Sequence, residues 1–111
     1  MEIKLYQLEN GKVPVDIWLN NLKDKRAKAK ILIRLDRLLL GNFGDTKSVG
    51  QGVSELRINE GKGYRLYYGR EGNKLVILLC GGDKMTQQSD IKLAKKYWRK
   101  HREQNSSIQN R

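Results

Sequence analysis

Residues 52–90, GVSELRINEGKGYRLYYGREGNKLVILLCGGDKMTQQSD, place the tightest constraint on the fold, because their apolar residues recur with the period of two that belongs to strands. Three consecutive antiparallel strands are predicted. In the first, 53–58, Ser54, Leu56 and Ile58 share one face, and Val53, Glu55 and Arg57 the other. In the second, 64–68, Tyr64, Leu66 and Tyr68 lie on one side, with Arg65 and Tyr67 opposite. Pairing Ile58 with Tyr64 across the 59–63 turn sets Arg57 beside Arg65 and Glu55 beside Tyr67. Two adjacent arginines repel by a few tenths of a kcal/mol or more unless an anion intervenes. Two readings follow: Glu55 neutralises both arginines on a solvated face, or the pair holds a phosphate, to which each guanidinium donates two parallel hydrogen bonds.

The rest of the chain is short. At 111 residues it predicts one domain, spanning 1–102, followed by a polar tail at 103–111 without periodicity that reads as disordered. Its longest apolar run, 75–80, is far below the ~20 residues a membrane-spanning helix needs. The first ten residues carry no secretory pattern, so a cytoplasmic protein without a membrane partner is expected. The single cysteine, Cys80, sits in an apolar strand and the single histidine, His101, lies far from it. An internal disulfide and a Cys/His zinc set are thereby excluded, and no metal or cofactor is expected.

Charge is unevenly spread. The formal net charge is +11, and two segments, 23–40 and 92–102, account for the whole excess. Concentrated basic charge points to a polyanionic partner, nucleic acid or an acidic protein, and solvated helix faces are the plain alternative.

Before the sheet segment, 2–8 reads as a first strand ending at a turn at 9–11. A short helix then begins at Pro14, where a missing N–H is tolerated, with Val15, Trp18, Leu19 and Leu22 on its apolar face. A second helix, 24–40, starts at the N-cap Asp24. Ala27, Ile31, Leu35, Leu38 and Leu39 form its predicted apolar stripe, and Lys28, Lys30, Arg34 and Arg37 are among its more exposed positions. Residues 43–52 read as a loop. The third strand of the sheet segment, 74–80, is apolar on both faces and so buried on both, with the helical hairpin on one. Gly81 and Gly82 then let the backbone turn tightly or come close to a ligand, and deliver Lys84 to the sheet's end. A last helix, 86–102, carries Ile91, Ala94, Tyr97 and Trp98 inward. The order strand, helix, helix, strand, strand, strand, helix defines an α+β domain with a small, mostly antiparallel sheet.

No glycine-rich nucleotide loop, metal cluster or Ser/His/Asp set is present. A basic and aromatic set remains, suited to RNA cleavage by the RNA's own 2′-hydroxyl, in which preorganised cations stabilise the charge developing on phosphate without a metal. In that scheme Arg57 and Arg65 hold the phosphate. Lys84 stabilises the transition state or assists proton transfer, Tyr67 positions or stacks on a base, and Glu55 acts as base or orients an arginine. Lys62, Lys92, Lys95, Lys96 and Arg99 are the candidate RNA-binding residues.

The motifs DIWLNNLKDKRAKAKI, RLLLGNFGD, GVSELRI, GKGYRLYY and LLCGGDKMTQQSDIKLA resemble the RelE/ParE superfamily of bacterial toxins, from about Ile3 to Trp98 and in the same order of elements. Within it the chain is similar to HigB-like, phage-derived addiction module killer proteins. The resemblance implies a RelE-like fold, ribosome-dependent mRNA interferase activity, and neutralisation by a cognate helix-turn-helix antitoxin. Arg65 matches the superfamily's strand arginine, Arg57 a basic position in the preceding strand, and Lys84 the arginine after the last strand. The chain departs from RelE-type toxins at Val53 and Glu55, where they have lysines, and at Asp90, where they have a tyrosine. ParE-like members of the same fold poison DNA gyrase, and a non-catalytic module that binds antitoxin or RNA is a third possibility.

Overall fold

The computed structural model describes residues 1–109, with side chains through residue 104. Five strands and three helices follow the order β1 (Glu2–Leu5), α1 (Pro14–Asn21), α2 (Lys25–Leu39), β2 (Thr46–Gly50), β3 (Val53–Ile58), β4 (Tyr64–Glu71), β5 (Leu75–Gly82) and α3 (Gln87–Gln109). The sheet is mixed, ordered β1-β5-β4-β3-β2, with β1 parallel to β5 and every other neighbour antiparallel. This is an α+β fold.

The predicted register holds. Ile58 pairs with Tyr64, Arg57 with Arg65 and Glu55 with Tyr67. One correction concerns 43–52, which is not all loop: β2 runs antiparallel to β3 with a bulge between Ser48 and Gly50. As an edge strand it is largely exposed, so it lacks the alternating apolar pattern that marks the inner strands. The first strand is also shorter than predicted, although Tyr6 N–H still donates to Leu78 O at 2.9 Å. At the other end α3 continues past Arg102 to Gln109, so the helix extends through part of the segment read as a disordered tail; residues 110 and 111 lie outside the described residues. Glu103 and Gln104 are good helix formers, and an apolar stripe is not needed to extend a helix already anchored upstream.

Each face of the sheet is covered. The hairpin of α1 and α2 packs on Leu56, Leu66, Tyr68, Val76 and Leu78, and at the turn end on Ile58 and Tyr64. On the reverse face α3 packs through Ala94 and Trp98 against Val53, Tyr67, Ile77, Leu79 and Cys80. Both tryptophans rest on bare backbone. A Cβ added to Gly81 would stand 2.3 Å from the Trp18 ring, and one added to Gly69 would stand 2.3 Å from the Trp98 ring. Glycine at these strand positions is what lets each indole lie flat on the sheet.

Helix α2 begins as expected, with Asp24 Oδ1 accepting from Ala27 N–H at 3.0 Å. Its inward face is narrower than predicted: Ala27, Ile31 and Leu38 are buried, but Leu39 is 48% exposed. Arg34 is a second correction. Its guanidinium donates to the carbonyls of Arg57, Phe43 and Asp45, tying α2 to the segment that leads into β2.

Candidate functional site

The β3–β4 turn and the exit of β5 lie side by side at one end of the sheet. A Cβ on Gly63 would stand 3.2 Å from Arg65 Nη1 and 3.3 Å from both Cγ and Cδ of Lys84. Arg65 and Lys84, far apart in sequence, thus flank the same glycine. Lys62 is exposed on the adjoining turn and, with Lys23, Asp24, Asp83 and Trp18, lines a cleft of about 470 Å³. Lys84 is exposed, and its turn is held by Asp83 Oδ1, which accepts from Met85 N–H at 2.8 Å and Thr86 N–H at 3.2 Å.

The two arginines are neighbours in register, but their guanidiniums are held by different groups. Arg57 donates through Nε and Nη2 to Asp45 Oδ1, at 3.2 and 3.0 Å, beside β2. Arg65 Nη1 donates to Gly63 O at 2.6 Å, and its Nε faces Glu55 Oε2 at 3.9 Å, too long for a hydrogen bond. That buried Nε–H has no hydrogen-bond partner. The reading in which Glu55 neutralises both arginines holds for one of them: Glu55 attends Arg65, and Asp45 attends Arg57.

Glu55 is 2% exposed, and its Oε2 also accepts from Gln87 Nε2 at 3.2 Å, at the start of α3. Tyr67 is fully buried under α3, and its hydroxyl has no partner. Burial, reinforced by the negative charge of Glu55 and Asp90, holds the Tyr67 hydroxyl far above its ordinary range. A ring with no exposed surface does not stack on a base, so Tyr67 is corrected from a base-positioning residue to a core residue. Glu55, locked between Arg65 and Gln87, orients the arginine and does not meet solvent.

Asp90 stands close to this group. A Cβ on Gly82, the β5 partner of Arg65, would collide with Asp90 Oδ2, and the Thr86 hydroxyl donates to that same oxygen at 2.5 Å. Burial raises the Asp90 carboxyl above the ordinary aspartate range, and the hydrogen bond from Thr86 opposes the shift. Asp45, Gln87 and Asp90 were not among the sequence-predicted site residues. The sequence marks Asp90 only as the position where RelE-type toxins have a tyrosine; the paired glycines, expected to turn the backbone, instead lie within β5, where Gly82 gives way to its carboxylate and Gly81 to Trp18.

Of the candidate RNA-binding lysines, Lys92, Lys96 and Arg99 are exposed along α3 and Lys95 is half-buried beside Gly50. At ~1.5 Å rise per residue, Arg99 stands roughly 18 Å along the helix from Gln87. Lys96 reaches a separate cleft of about 500 Å³ bordered by Tyr6 and Tyr97, whose rings stack at 4.9 Å. Cys80 is buried, and burial pushes its thiol up to about 12. Among the described residues no three His, Cys, Asp or Glu side chains cluster as a metal site would require, and no helix is long and apolar enough to cross a membrane.

The sequence profile described as Phage derived protein Gp49-like (DUF891) matches residues 17–99, from α1 through the buried part of α3. The chain belongs to this family. Gp49-like proteins are associated with toxin–antitoxin systems. An uncharacterized protein of Haemophilus influenzae (strain ATCC 51907 / DSM 11121 / KW20 / Rd) is 62% identical over 80 residues, covering 72% of this chain and 81% of its own length. The Gp49-like match takes in Glu55, Arg57, Arg65, Lys84, Gln87 and Asp90, so the whole sheet-end cluster lies within it.

Proposed function

We propose that this Gp49-like protein is the toxin of a type II toxin–antitoxin system, with a RelE-like fold of the HigB-like kind. In this reading it is a cytoplasmic, ribosome-dependent mRNA endonuclease restrained by a helix-turn-helix antitoxin. One observation carries the reading: a buried guanidinium with an unpartnered Nε–H, Arg65, sits beside an exposed ammonium, Lys84, around a single glycine. Fixed cations of this kind suit a phosphate on which charge develops. A phosphate oxygen accepts hydrogen bonds from Arg65 and Lys84. Asp90 takes the proton from the 2′-hydroxyl, whose oxygen attacks phosphorus, and the 5′-oxygen leaves with a proton supplied by Lys84 or water. The products are a 2′,3′-cyclic phosphate and a 5′-hydroxyl end. A carboxyl with a raised pKa is a better base near neutral pH than an ordinary aspartate. The cations of α3 supply a track for the flanking RNA backbone.

The test is induction of the protein in growing cells with mapping of mRNA 5′ ends. Growth arrest with new ends inside translated codons, lost on Arg65→Ala or Lys84→Ala, is the expected result; arrest with intact message overturns the nuclease reading. The burial of Glu55 and Tyr67 favours a second reading, a gyrase poison of ParE type, because such a toxin needs no proton transfer. Cleaved gyrase–DNA complexes with intact mRNA distinguish it.

A further inference from the structure

The two basic surfaces differ in their apolar content, and this separates their partners. On α3 the exposed charges are mostly cationic, Lys92, Lys96, Arg99, Lys100 and Arg102 against Glu103, and Leu93 is the large exposed aliphatic side chain there. The outer face of α2 is different. Leu32, Ile33, Leu39 and Leu40 are 47%, 49%, 48% and 87% exposed, and they recur in two rows seven residues apart, Leu32 with Leu39 and Ile33 with Leu40. Between the rows run exposed Ala29 and Asp36. Seven-residue spacing is the pattern of a helix that takes a second helix along its length. One flank of the strip is basic: Arg26, Lys30 and Arg37 are all exposed, and Glu60 offsets only the first two, through Arg26 Nε at 3.6 Å and Lys30 Nζ at 2.5 Å.

We infer that the outer face of α2 is a docking surface for an acidic amphipathic helix of a partner protein. Its apolar residues would follow a heptad spacing, its glutamates or aspartates would face Arg37 and Lys30, and a lysine or arginine would face Asp36. Aliphatic side chains offer no stacking platform, which disfavours RNA here. A second copy would set Asp36 against Asp36 and basic flank against basic flank, on a chain whose net charge is already +11. An anionic membrane would bury Asp36 in the middle of the contact. The inference rests on this surface and not on the nuclease reading, since none of its residues belongs to the sheet-end cluster.

The experiment titrates the full chain with a labelled helical peptide of about three heptads, carrying leucine at the core positions, glutamate at the flanks and one central lysine. A twin peptide with lysine flanks, single-stranded RNA and vesicles containing phosphatidylserine are compared. Expected is binding of the acidic peptide at least ~10-fold tighter than its twin, weakened ~10-fold by Leu32→Ser/Leu39→Ser and several-fold by Arg37→Glu, with unchanged thermal unfolding. Equal affinity for the two peptides, or variants that bind like the parent, overturns the inference. RNA or vesicle binding abolished by Leu32→Ser/Leu39→Ser overturns it as well.

Discussion

Arg57 and Arg65 face each other directly across β3 and β4, yet one guanidinium is held by exposed Asp45 and the other by buried Glu55. The two ion pairs therefore differ in energy. Arg65 and Glu55 side chains are 10% and 3% exposed, and removing one partner strands a charge in a medium that solvates it poorly. Arg65→Ala is expected to destabilise the fold by about 3 kcal/mol in urea unfolding. Arg65→Met/Glu55→Gln recovers much of that loss and restores no RNA cleavage. A single variant as stable as the parent would show that Glu55 is satisfied without the arginine.

Arg57 and Asp45 are 34% and 43% exposed, so water screens their attraction. Arg57→Ala or Asp45→Ala is expected to cost below about 1 kcal/mol. If Arg57 also serves the phosphate, Asp45→Ala releases its guanidinium and tightens RNA binding, as measured by filter binding at low salt.

Asp90 gives a signed pH dependence. Its carboxyl binds a proton more tightly in the folded chain than in the unfolded one, because burial disfavours the charge. That contribution to stability is complete below the unfolded value, near pH 4, and is lost as pH rises through the raised folded value. Asp90→Asn is therefore expected to melt slightly higher than the parent at neutral pH, with the difference vanishing in acid. The same variant should lose roughly 100-fold or more in RNA cleavage if Asp90 is the base. Higher stability with full activity keeps the electrostatic account and removes the catalytic one.

The glycines under the two indoles are steric requirements. Gly69→Ala sets a methyl 2.3 Å from the Trp98 ring and Gly81→Ala does the same to Trp18. Each is expected to cost about 1–3 kcal/mol, the range for overpacking a filled core. Loss of the near-ultraviolet tryptophan signal should accompany it.

Cys80 should be inert to thiol reagents in the folded protein at pH 8 and react fully in denaturant, because burial holds the thiol up to about 12. Reaction at equal rates in both states would place the β5 core in solvent contact.

The β3–β4 register was legible because a five-residue turn and strict alternation leave one pairing that keeps Leu56, Leu66 and Tyr68 on a common face. Strand β2 was not legible, since an exposed edge strand needs no apolar period. Alternation also placed Tyr67 beside Glu55 correctly but could not tell whether α3 covers that face or leaves it open. The α2 pattern had a similar limit: Leu38 and Leu39 look alike in sequence, and only the fit of the helix on the sheet buries one and exposes the other.

By itself the sequence determined β3 and β4, their faces and their pairing, because these follow from backbone geometry acting over neighbouring residues. Tertiary structure decided which charges meet. Asp45 reaches Arg57 from 12 positions away and Gln87 reaches Glu55 from 32, contacts set by how β2 and α3 lie against the sheet. Side-chain electrostatics fall off over a few ångströms, so the partner of each buried charge is known only when the elements are in place.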